Sequence, residues 1–223
     1  MTTVRTDLPE NPFRPGAGHM PPYLAGRGHE MDEFKRLLQQ RVILENLALT
    51  GLRGVGKTVL LESFKPVAMQ QGWVWVGADL SESVSISENN LALRLLADLA
   101  TVTSTLVTGA VDQYEIGFDT RPLTRYKMLN FNALEAIYRT TPGLEVDRLK
   151  AVLELVWSLL KPRGKRGIIF AYDEAQNLTD HAGDKQFPLS LLLDVFQSIQ
   201  RRDAPFIAIN TAAIPRDLLE SEL

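Results

Sequence analysis

Four short apolar runs alternate along the chain with longer segments whose apolar residues recur at helical spacing. The apolar runs are typical of buried strands and lie at residues 46–50, 73–76, 168–172 and 205–210. The helical spacing predicts helices at residues 29–40, 57–71, 144–160 and 188–202 and one capped by Ser85 or Ser87. This order predicts an α/β fold in which helices sandwich a parallel sheet.

Three segments depart from the alternation of strands and helices. Residues 1–28 are rich in Pro and Gly, which predicts an extended segment without regular structure. Residues 102–143 are interpreted as an insertion with one short helix around residues 132–139, and residues 211–223 as a short helix. The chain therefore divides into an extended segment, residues 1–28, and one core domain, residues 29–223.

The strongest chemical signal is the sequence GLRGVGKT, which follows the first predicted strand and opens a helix. Glycines let the backbone curl around phosphates, and successive N–H groups at a helix start form an anion-binding nest. In this pattern the Lys57 ammonium reaches the β- and γ-phosphates, and the Thr58 hydroxyl ligates Mg²⁺. The alternative is a glycine-rich turn with a solvated lysine. The predicted nucleotide-binding residues are Gly51, Arg53, Gly54, Val55, Gly56, Lys57, Thr58 and Val59.

Two adjacent carboxylates end the third apolar run, in the sequence IIFAYDE. Ligands of parallel sheets bind at the carboxyl ends of the strands, where these carboxylates are expected. Asp173 is predicted to hold Mg²⁺, and Glu174 to act as the general base for an attacking water. The alternative for Asp173 is a helix N-cap, since apolar strands often end in acidic residues.

Asn210 ends the fourth apolar run, which we expect to lie next to the second run in the sheet. A polar side chain at that point can orient the attacking water or contact the γ-phosphate, so Asn210 is a third candidate catalytic residue beside Glu174 and Lys57. The alternative is an asparagine that caps a turn.

Composition narrows the classes of function. The chain has 223 residues, no Cys, three His and a net charge of −3. These numbers argue against disulfide, thiolate-zinc and histidine-built metal sites, and they give no overall basic field for nucleic acid. One basic run, KPRGKR at 161–166, fits a solvated loop or a local contact with nucleic acid or lipid. With no apolar stretch long enough for a membrane span and no apolar leader, the expected location is the cytoplasm.

The segment YLAGRGHE at 23–30 precedes the phosphate loop and carries a family resemblance. Together with the DEAQNL that follows the third apolar run, it resembles AAA+ P-loop ATPases of the Orc1/Cdc6-like, STAND-like and ExeA-like branches. The resemblance spans residues 11–210. It implies that Leu24, Gly26 and Arg27 line the pocket for the nucleotide base, and that Asn210 has a sensor role. For Arg27 the alternative is a salt bridge at a helix start.

The resemblance also implies a fifth strand and a helical lid after the fourth strand, and neither is found in the sequence up to Leu223. The first functional hypothesis is Mg²⁺-dependent hydrolysis of ATP to ADP, driving a conformational switch or assembly. The second is a nucleotide-gated binding module with little turnover that recruits DNA or a protein partner. A small-molecule kinase is the last of the functional hypotheses, because the sequence shows no pattern for a second substrate site. Self-association or a protein partner is expected, whereas the net charge does not indicate DNA.

Overall fold

The structure, a computed structural model, describes residues 26–213 except residues 41, 44, 78, 114–122 and 201–204. Strands and helices alternate through most of this range, with short 3-10 turns between some of them. The helices are α1 (Gly28–Gln39), α2 (Lys57–Gln70), α3 (Glu88–Thr103), α4 (Phe131–Thr140), α5 (Glu145–Leu160) and α6 (Pro188–Gln200). The strands are β1 (Leu47–Gly51), β2 (Trp73–Val76), β3 (Val107–Gln113), β4 (Leu123–Met128), β5 (Gly167–Tyr172) and β6 (Phe206–Ala213).

Four of the strands form the parallel sheet, in the order β1-β6-β5-β2. The predicted α/β fold with a parallel sheet between helices is therefore confirmed. The expected neighbour of the fourth apolar run is wrong, because β6 lies between β1 and β5, and β2 lies beyond β5. As a result, the strand before the phosphate loop and the strand before Asp173 both flank β6.

Alternate residues of the buried strand β5 point into two different cores. Phe170 and Tyr172 belong to the larger core, which is built with α3, α4, α5 and α6. Ile169 and Ala171 belong to the smaller core, which is built with α1 and α2. Apolar side chains on both faces explain why this strand is an unbroken apolar run in the sequence. They also fix the register that places Asp173 at the carboxyl edge of the sheet.

The helices begin and end close to the positions that their sequence signals predict. Ser87 is the cap of α3, and its hydroxyl oxygen accepts a hydrogen bond of 3.1 Å from the backbone N–H of Asn90. Helix α5 gives way to a 3-10 turn at Lys161–Arg163, ahead of Gly164 at φ 74°. In the part of the chain that the structure describes, no helix is long and apolar enough to span a membrane.

Three boundaries differ from the sequence predictions. Helix α1 starts at Gly28, inside the segment predicted to be extended, whose residues 1–25 lie outside the described residues. Residues 211–213 continue β6 instead of starting a helix, and residues 214–223 lie outside the described range. The region 102–143 contains the predicted short helix as α4, but it also contains the antiparallel hairpin β3–β4. The apolar residues of this hairpin do not alternate regularly with polar ones, so apolar periodicity did not indicate it.

Candidate functional site

The segment 51–58 forms a tight loop between β1 and α2 at the carboxyl edge of the sheet. Gly51, Gly54 and Gly56 have φ values of 151°, 85° and 83°, which residues with a Cβ rarely adopt. The loop therefore requires glycine at these three positions, and helix α2 begins with Lys57 directly after it. The other predicted loop residues lie on the same turn: Arg53 and Val55 are exposed, and Val59 is half-buried at the start of α2.

The ammonium group of Lys57 lies over this loop. It donates hydrogen bonds of 2.9 Å to the carbonyl of Gly51 and 2.8 Å to the carbonyl of Leu52. The side chain is only half-buried, so its positive charge faces the same open edge as the loop. A helix start, a glycine loop and a lysine ammonium together form a positive, concave surface that suits a chain of phosphates.

Thr58 and Asp173 meet although they are 115 positions apart in the sequence. The Thr58 hydroxyl donates a hydrogen bond of 2.5 Å to the Oδ2 atom of Asp173. Asp173 is buried, and its other oxygen, Oδ1, accepts a hydrogen bond of 2.9 Å from the backbone N–H of Glu174. A hydroxyl and a carboxylate so close together match the hard oxygen ligands that Mg²⁺ takes beside nucleotide phosphates. The residues present therefore fit this ion.

Glu174 has a backbone conformation that is unusual for a residue with a side chain. Its φ and ψ values of 54° and 37° lie in the left-handed region. Two turns follow it along the chain, and the side-chain amide of Gln176 donates a hydrogen bond to its carboxylate. Backbone strain of this kind costs free energy and is concentrated at functional sites. The strained turn carries the carboxylate away from the sheet, while Asp173 stays buried at the end of β5.

Thr211 completes the site and was not found by the sequence analysis. It is buried in β6, and its hydroxyl donates a hydrogen bond to the Oδ1 atom of Asp173. The same hydroxyl oxygen accepts a hydrogen bond of 3.3 Å from the backbone N–H of Glu174. One signal could have made Thr211 a candidate: it is a polar residue directly after an apolar run, although its contact with Asp173 follows only from the order of strands in the structure.

Asn210 does not end a strand, contrary to the sequence prediction, because β6 continues to Ala213. Its register partner in β5 is Tyr172, which points into the larger core, so Asn210 lies on the opposite face from Thr211. The side-chain oxygen of Asn210 is buried, and no hydrogen-bond partner for it occurs among the described residues. Thr211, rather than Asn210, therefore contacts the carboxylate, and a sensor role for Asn210 stays a prediction.

Arg27 connects helix α1 to the phosphate loop. Its guanidinium donates one hydrogen bond of 2.6 Å to Glu30 and another of 2.7 Å to the carbonyl of Val55. The hydrogen bond from Arg27 lowers the pKa of the Glu30 carboxyl, so this group stays charged. The salt bridge that was the alternative for Arg27 is therefore present, and a role for Arg27 in lining the base pocket stays a prediction. Gly26 precedes it at φ 75°, and Leu24 lies outside the described residues.

The end of β2 supports Asp173 from the other side. Asp79 pairs with Asp173 as an isolated parallel bridge, and the backbone N–H of Leu80 donates a 3.0 Å hydrogen bond to the Asp173 carbonyl. The approach depends on Gly77, because a Cβ there would lie 1.8 Å from the carbonyl oxygen of Ala171. The position of Asp173 is thus fixed by a neighbouring strand on each side.

The structure brings Lys57, Thr58, Asp173 and Thr211 together at one edge of the sheet through the contacts given above. A cavity of roughly 200 Å³ lies next to Lys57, and its lining includes Arg27, Glu30, Lys57, Leu60 and the edge of β1. The arrangement can bind phosphate and a divalent cation, and it presents a carboxylate next to them. These are the elements needed for phosphoryl-transfer chemistry.

Two solved structures resemble this chain in fold. One is Cdc6p from Pyrobaculum aerophilum, with a TM-score of 0.53 and 15% sequence identity over 92% of this chain and 43% of that chain. The other is the Orc2 protein of Aeropyrum pernix in ADPNP–ADP complexes, with a TM-score of 0.52 and 17% identity over 92% of this chain and 45% of that one. No family model and no curated protein matches the sequence.

The chain therefore shares the fold of these two structures, which is the fold expected from the Orc1/Cdc6-like resemblance. The chain spans less than half the length of either structure.

Proposed function

We propose that this protein binds ATP with Mg²⁺ and hydrolyses it to ADP and phosphate, and that the cycle drives a conformational switch or assembly. The observation that carries the proposal is the hydrogen bond between Thr58, on the phosphate loop, and Asp173, at the end of a different strand. A glycine-rich turn alone would not require a carboxylate at this point. The structure of the Orc2 neighbour with ADPNP and ADP supports the proposal by likeness of fold.

Each residue of the site has a proposed role. The loop N–H groups and Lys57 bind the phosphates, and Thr58 and Asp173 hold Mg²⁺, which would neutralise charge on the phosphate oxygens when bound. Glu174 orients the attacking water and accepts its proton. Thr211 holds Asp173 in place through its hydroxyl. Leu24, Gly26 and Arg27 remain the predicted lining of the base pocket, and Asn210 the predicted sensor.

The second candidate is a nucleotide-gated binding module with little turnover, and one observation favours it. The loop after β2 and the loop after β5 are joined by hydrogen bonds that lead away from Asp173. Asn177 donates 2.8 Å to the carbonyl of Leu80, and Thr179 donates 2.9 Å from its backbone N–H to Ser85. A change at Asp173 on nucleotide binding would therefore reach α3 and α6 without hydrolysis. DNA or a protein partner are the candidates for what is then recruited.

The experiment that tests the proposal measures ATP turnover by the purified chain with Mg²⁺, in the presence and absence of duplex DNA. Replacing Glu174 by Gln should lower turnover by about a hundredfold or more, because it removes the general base and keeps the shape. ATP binding should be retained. The matched control is Glu82→Gln, an exposed carboxylate in the loop after β2, which should leave turnover unchanged.

The outcomes separate the two candidates. Turnover that depends on Glu174 supports hydrolysis, and an increase with DNA adds a DNA-coupled cycle. Binding of ATP by both proteins with equal, negligible turnover would contradict hydrolysis and favour the binding module. Failure of the unaltered chain to bind ATP would contradict both.

A further inference from the structure

A groove of roughly 720 Å³ lies on the α3–α6 side of the molecule, away from the phosphate loop. The starts of α3, α5 and α6 form its walls. Its charged side chains are Glu88, Glu145, Asp194 and Arg148, and Arg148 donates a 3.0 Å hydrogen bond to Glu145. Among the residues that the structure describes, the lining is therefore acidic, and its one basic group, Arg148, is already paired to a carboxylate.

A further carboxylate lies at the rim of the groove. Asp180 accepts hydrogen bonds from the hydroxyl and the backbone N–H of Ser190, a lining residue. Burial opposes the charge on Asp180, but hydrogen bonds from Ser190 and Leu189 outweigh it and lower the pKa of this carboxyl. Asp180 thus adds negative charge at neutral pH.

The groove also exposes apolar side chains. Leu144 is 74% exposed and Phe187 is 41% exposed, and both line the groove. Large apolar side chains rimmed by charges are a feature of surfaces that bind other proteins. The combination suits a partner surface with apolar side chains next to several basic ones.

The chain itself carries such a surface. In the run Lys161–Arg166 every residue is exposed, four are basic and none is acidic. Arg163 donates a 3.3 Å hydrogen bond to the carbonyl of Val107, whose register partner is Met128. Val107 is 41% exposed and Met128 is 40% exposed. We call these eight residues the basic end.

The groove and the basic end lie at opposite ends of the same two helices. Helices α3 and α5 pack against each other, and their first residues, Glu88 and Glu145, line the groove. The last residue of α5 is directly followed by the basic run, and the last residue of α3, Thr103, hydrogen-bonds the Leu129 carbonyl beside Met128. Each helix has 16 residues and is about 24 Å long. The two surfaces therefore cannot meet within one chain.

We propose that the acidic groove of one copy binds the basic end of a second copy. Opposite charges and exposed apolar side chains on both surfaces carry the inference. Because the two surfaces differ, the contact is head-to-tail, and it generates a ring or an open filament according to the rotation between copies. The interface lies at the ends of α3 and α5, and it requires neither ATP nor hydrolysis.

The test is sedimentation velocity of the full chain with two charge reversals. Asp194→Lys makes the groove less acidic at an exposed position, and a double change, Lys161→Glu with Lys165→Glu, makes the basic end neutral overall. Self-association of the unaltered chain should increase with its concentration. Each variant alone should associate at least about tenfold more weakly. Raising NaCl from about 50 to about 500 mM should weaken association of the unaltered chain, since exposed charges are screened.

Mixing the two variants distinguishes a lost contact from a damaged fold. The unaltered basic end of the groove variant can still bind the unaltered groove of the basic-end variant, so the mixture should associate more strongly than either variant alone. Glu62→Lys and Lys65→Glu, both exposed on α2 at the other face of the sheet, are the matched controls and should associate like the unaltered chain. A monomeric unaltered chain, or association that the groove and basic-end variants leave unchanged, would overturn the proposal.

Discussion

Two loops leave the same edge of the sheet and contribute to the same site, but they are built in different ways. The phosphate loop, residues 51–58, has glycines at positive φ and a helix start, so the groups that it offers to a ligand are mainly backbone N–H groups. The carboxylate loop, residues 173–187, has a non-glycine residue, Glu174, at positive φ, and the groups that it offers are side chains. The shape of the phosphate loop depends on residues without a Cβ, whereas the chemistry of the carboxylate loop depends on which side chains it carries.

The difference has consequences for how each loop is held in place. Within the phosphate loop, Lys57 donates hydrogen bonds to the loop's own carbonyls, and Arg27 holds the carbonyl of Val55. The carboxylate loop is held by neighbours that are distant in sequence, among them Thr211, Leu80 and Ser85. A local sequence motif can therefore specify the first loop, while the second requires the assembled sheet.

The largest effect expected on ATP binding concerns the phosphate loop. Replacing Lys57 by Ala should weaken binding of a fluorescent ATP analogue by about tenfold to a hundredfold, because a charge-assisted hydrogen bond is worth about 1.5–3 kcal/mol. The fold should be retained, since Lys57 is half-buried and its ammonium hydrogen-bonds carbonyls of its own loop. Lys65→Ala, at an exposed position on the same helix, is the control. Equal affinities of the two variants would show that the loop does not bind phosphate through this lysine.

The second prediction concerns the carboxylate loop and compares adjacent residues of β6. Thr211→Val keeps the shape but removes the hydroxyl that contacts Asp173, so turnover should fall by about tenfold while ATP binding stays. Thr211→Ser should retain most of the turnover. Asn210→Ala should have the smaller effect, because Asn210 faces away from Asp173. A larger loss of turnover in Asn210→Ala than in Thr211→Val would support the predicted sensor role of Asn210.

The sequence predicted where the loop 51–58 and Asp173 lie in the fold because their signals are local. Gly51–Thr58 is a contiguous motif between a strand and a helix, and Asp173 directly follows an unbroken apolar strand. The role of Thr211 depends on which strand neighbours β5, and periodicity does not specify the order of strands. The same limitation explains the error in placing the fourth apolar run beside the second.

The hairpin β3–β4 was missed for a different physical reason. It lies outside the main sheet, and its sequences VTGAVDQ and LTRYKM contain few apolar residues in alternation. Pairing between its strands satisfies backbone hydrogen bonds, and this pairing does not require a particular pattern of side chains in the sequence. Helix α4, directly after the hairpin, buries Leu134 and Tyr138 and was predicted correctly.

The third prediction uses the strained residue of the carboxylate loop. Glu174→Gly should raise the free energy of unfolding by up to about 1 kcal/mol, because glycine adopts positive φ without strain. Turnover should be lost with the carboxylate. Lys185, also at φ 54°, provides a matched change outside the site: Lys185→Gly should stabilise to a similar extent and leave turnover intact. The measurement is urea unfolding of both variants. If both substitutions lowered the free energy of unfolding, backbone strain at Glu174 and Lys185 would be contradicted.

The smallest expected effect concerns a carboxylate behind the site. Asp98 on α3 is buried beside Tyr172, the residue before Asp173. Burial raises the pKa of the Asp98 carboxyl above its ordinary value of 3.8, and the hydrogen bond from Arg94 only partly opposes this. A group with a raised pKa in the folded state stabilises the fold at pH values below its unfolded pKa. That contribution is lost as the pH rises through the folded pKa.

Asp98→Asn removes this titration and keeps the shape. Relative to the variant, the unaltered chain should therefore lose stability as the pH rises from below 3.8 through the raised pKa, and the difference should then level off. Urea unfolding of both proteins across this pH range measures the trend. Asp32→Asn, at an exposed carboxylate on α1, is the control for general charge effects. If the difference instead moved in favour of the unaltered chain with rising pH, the Arg94 pair would outweigh burial, and α3 would be held behind the carboxylate loop by charge rather than by packing.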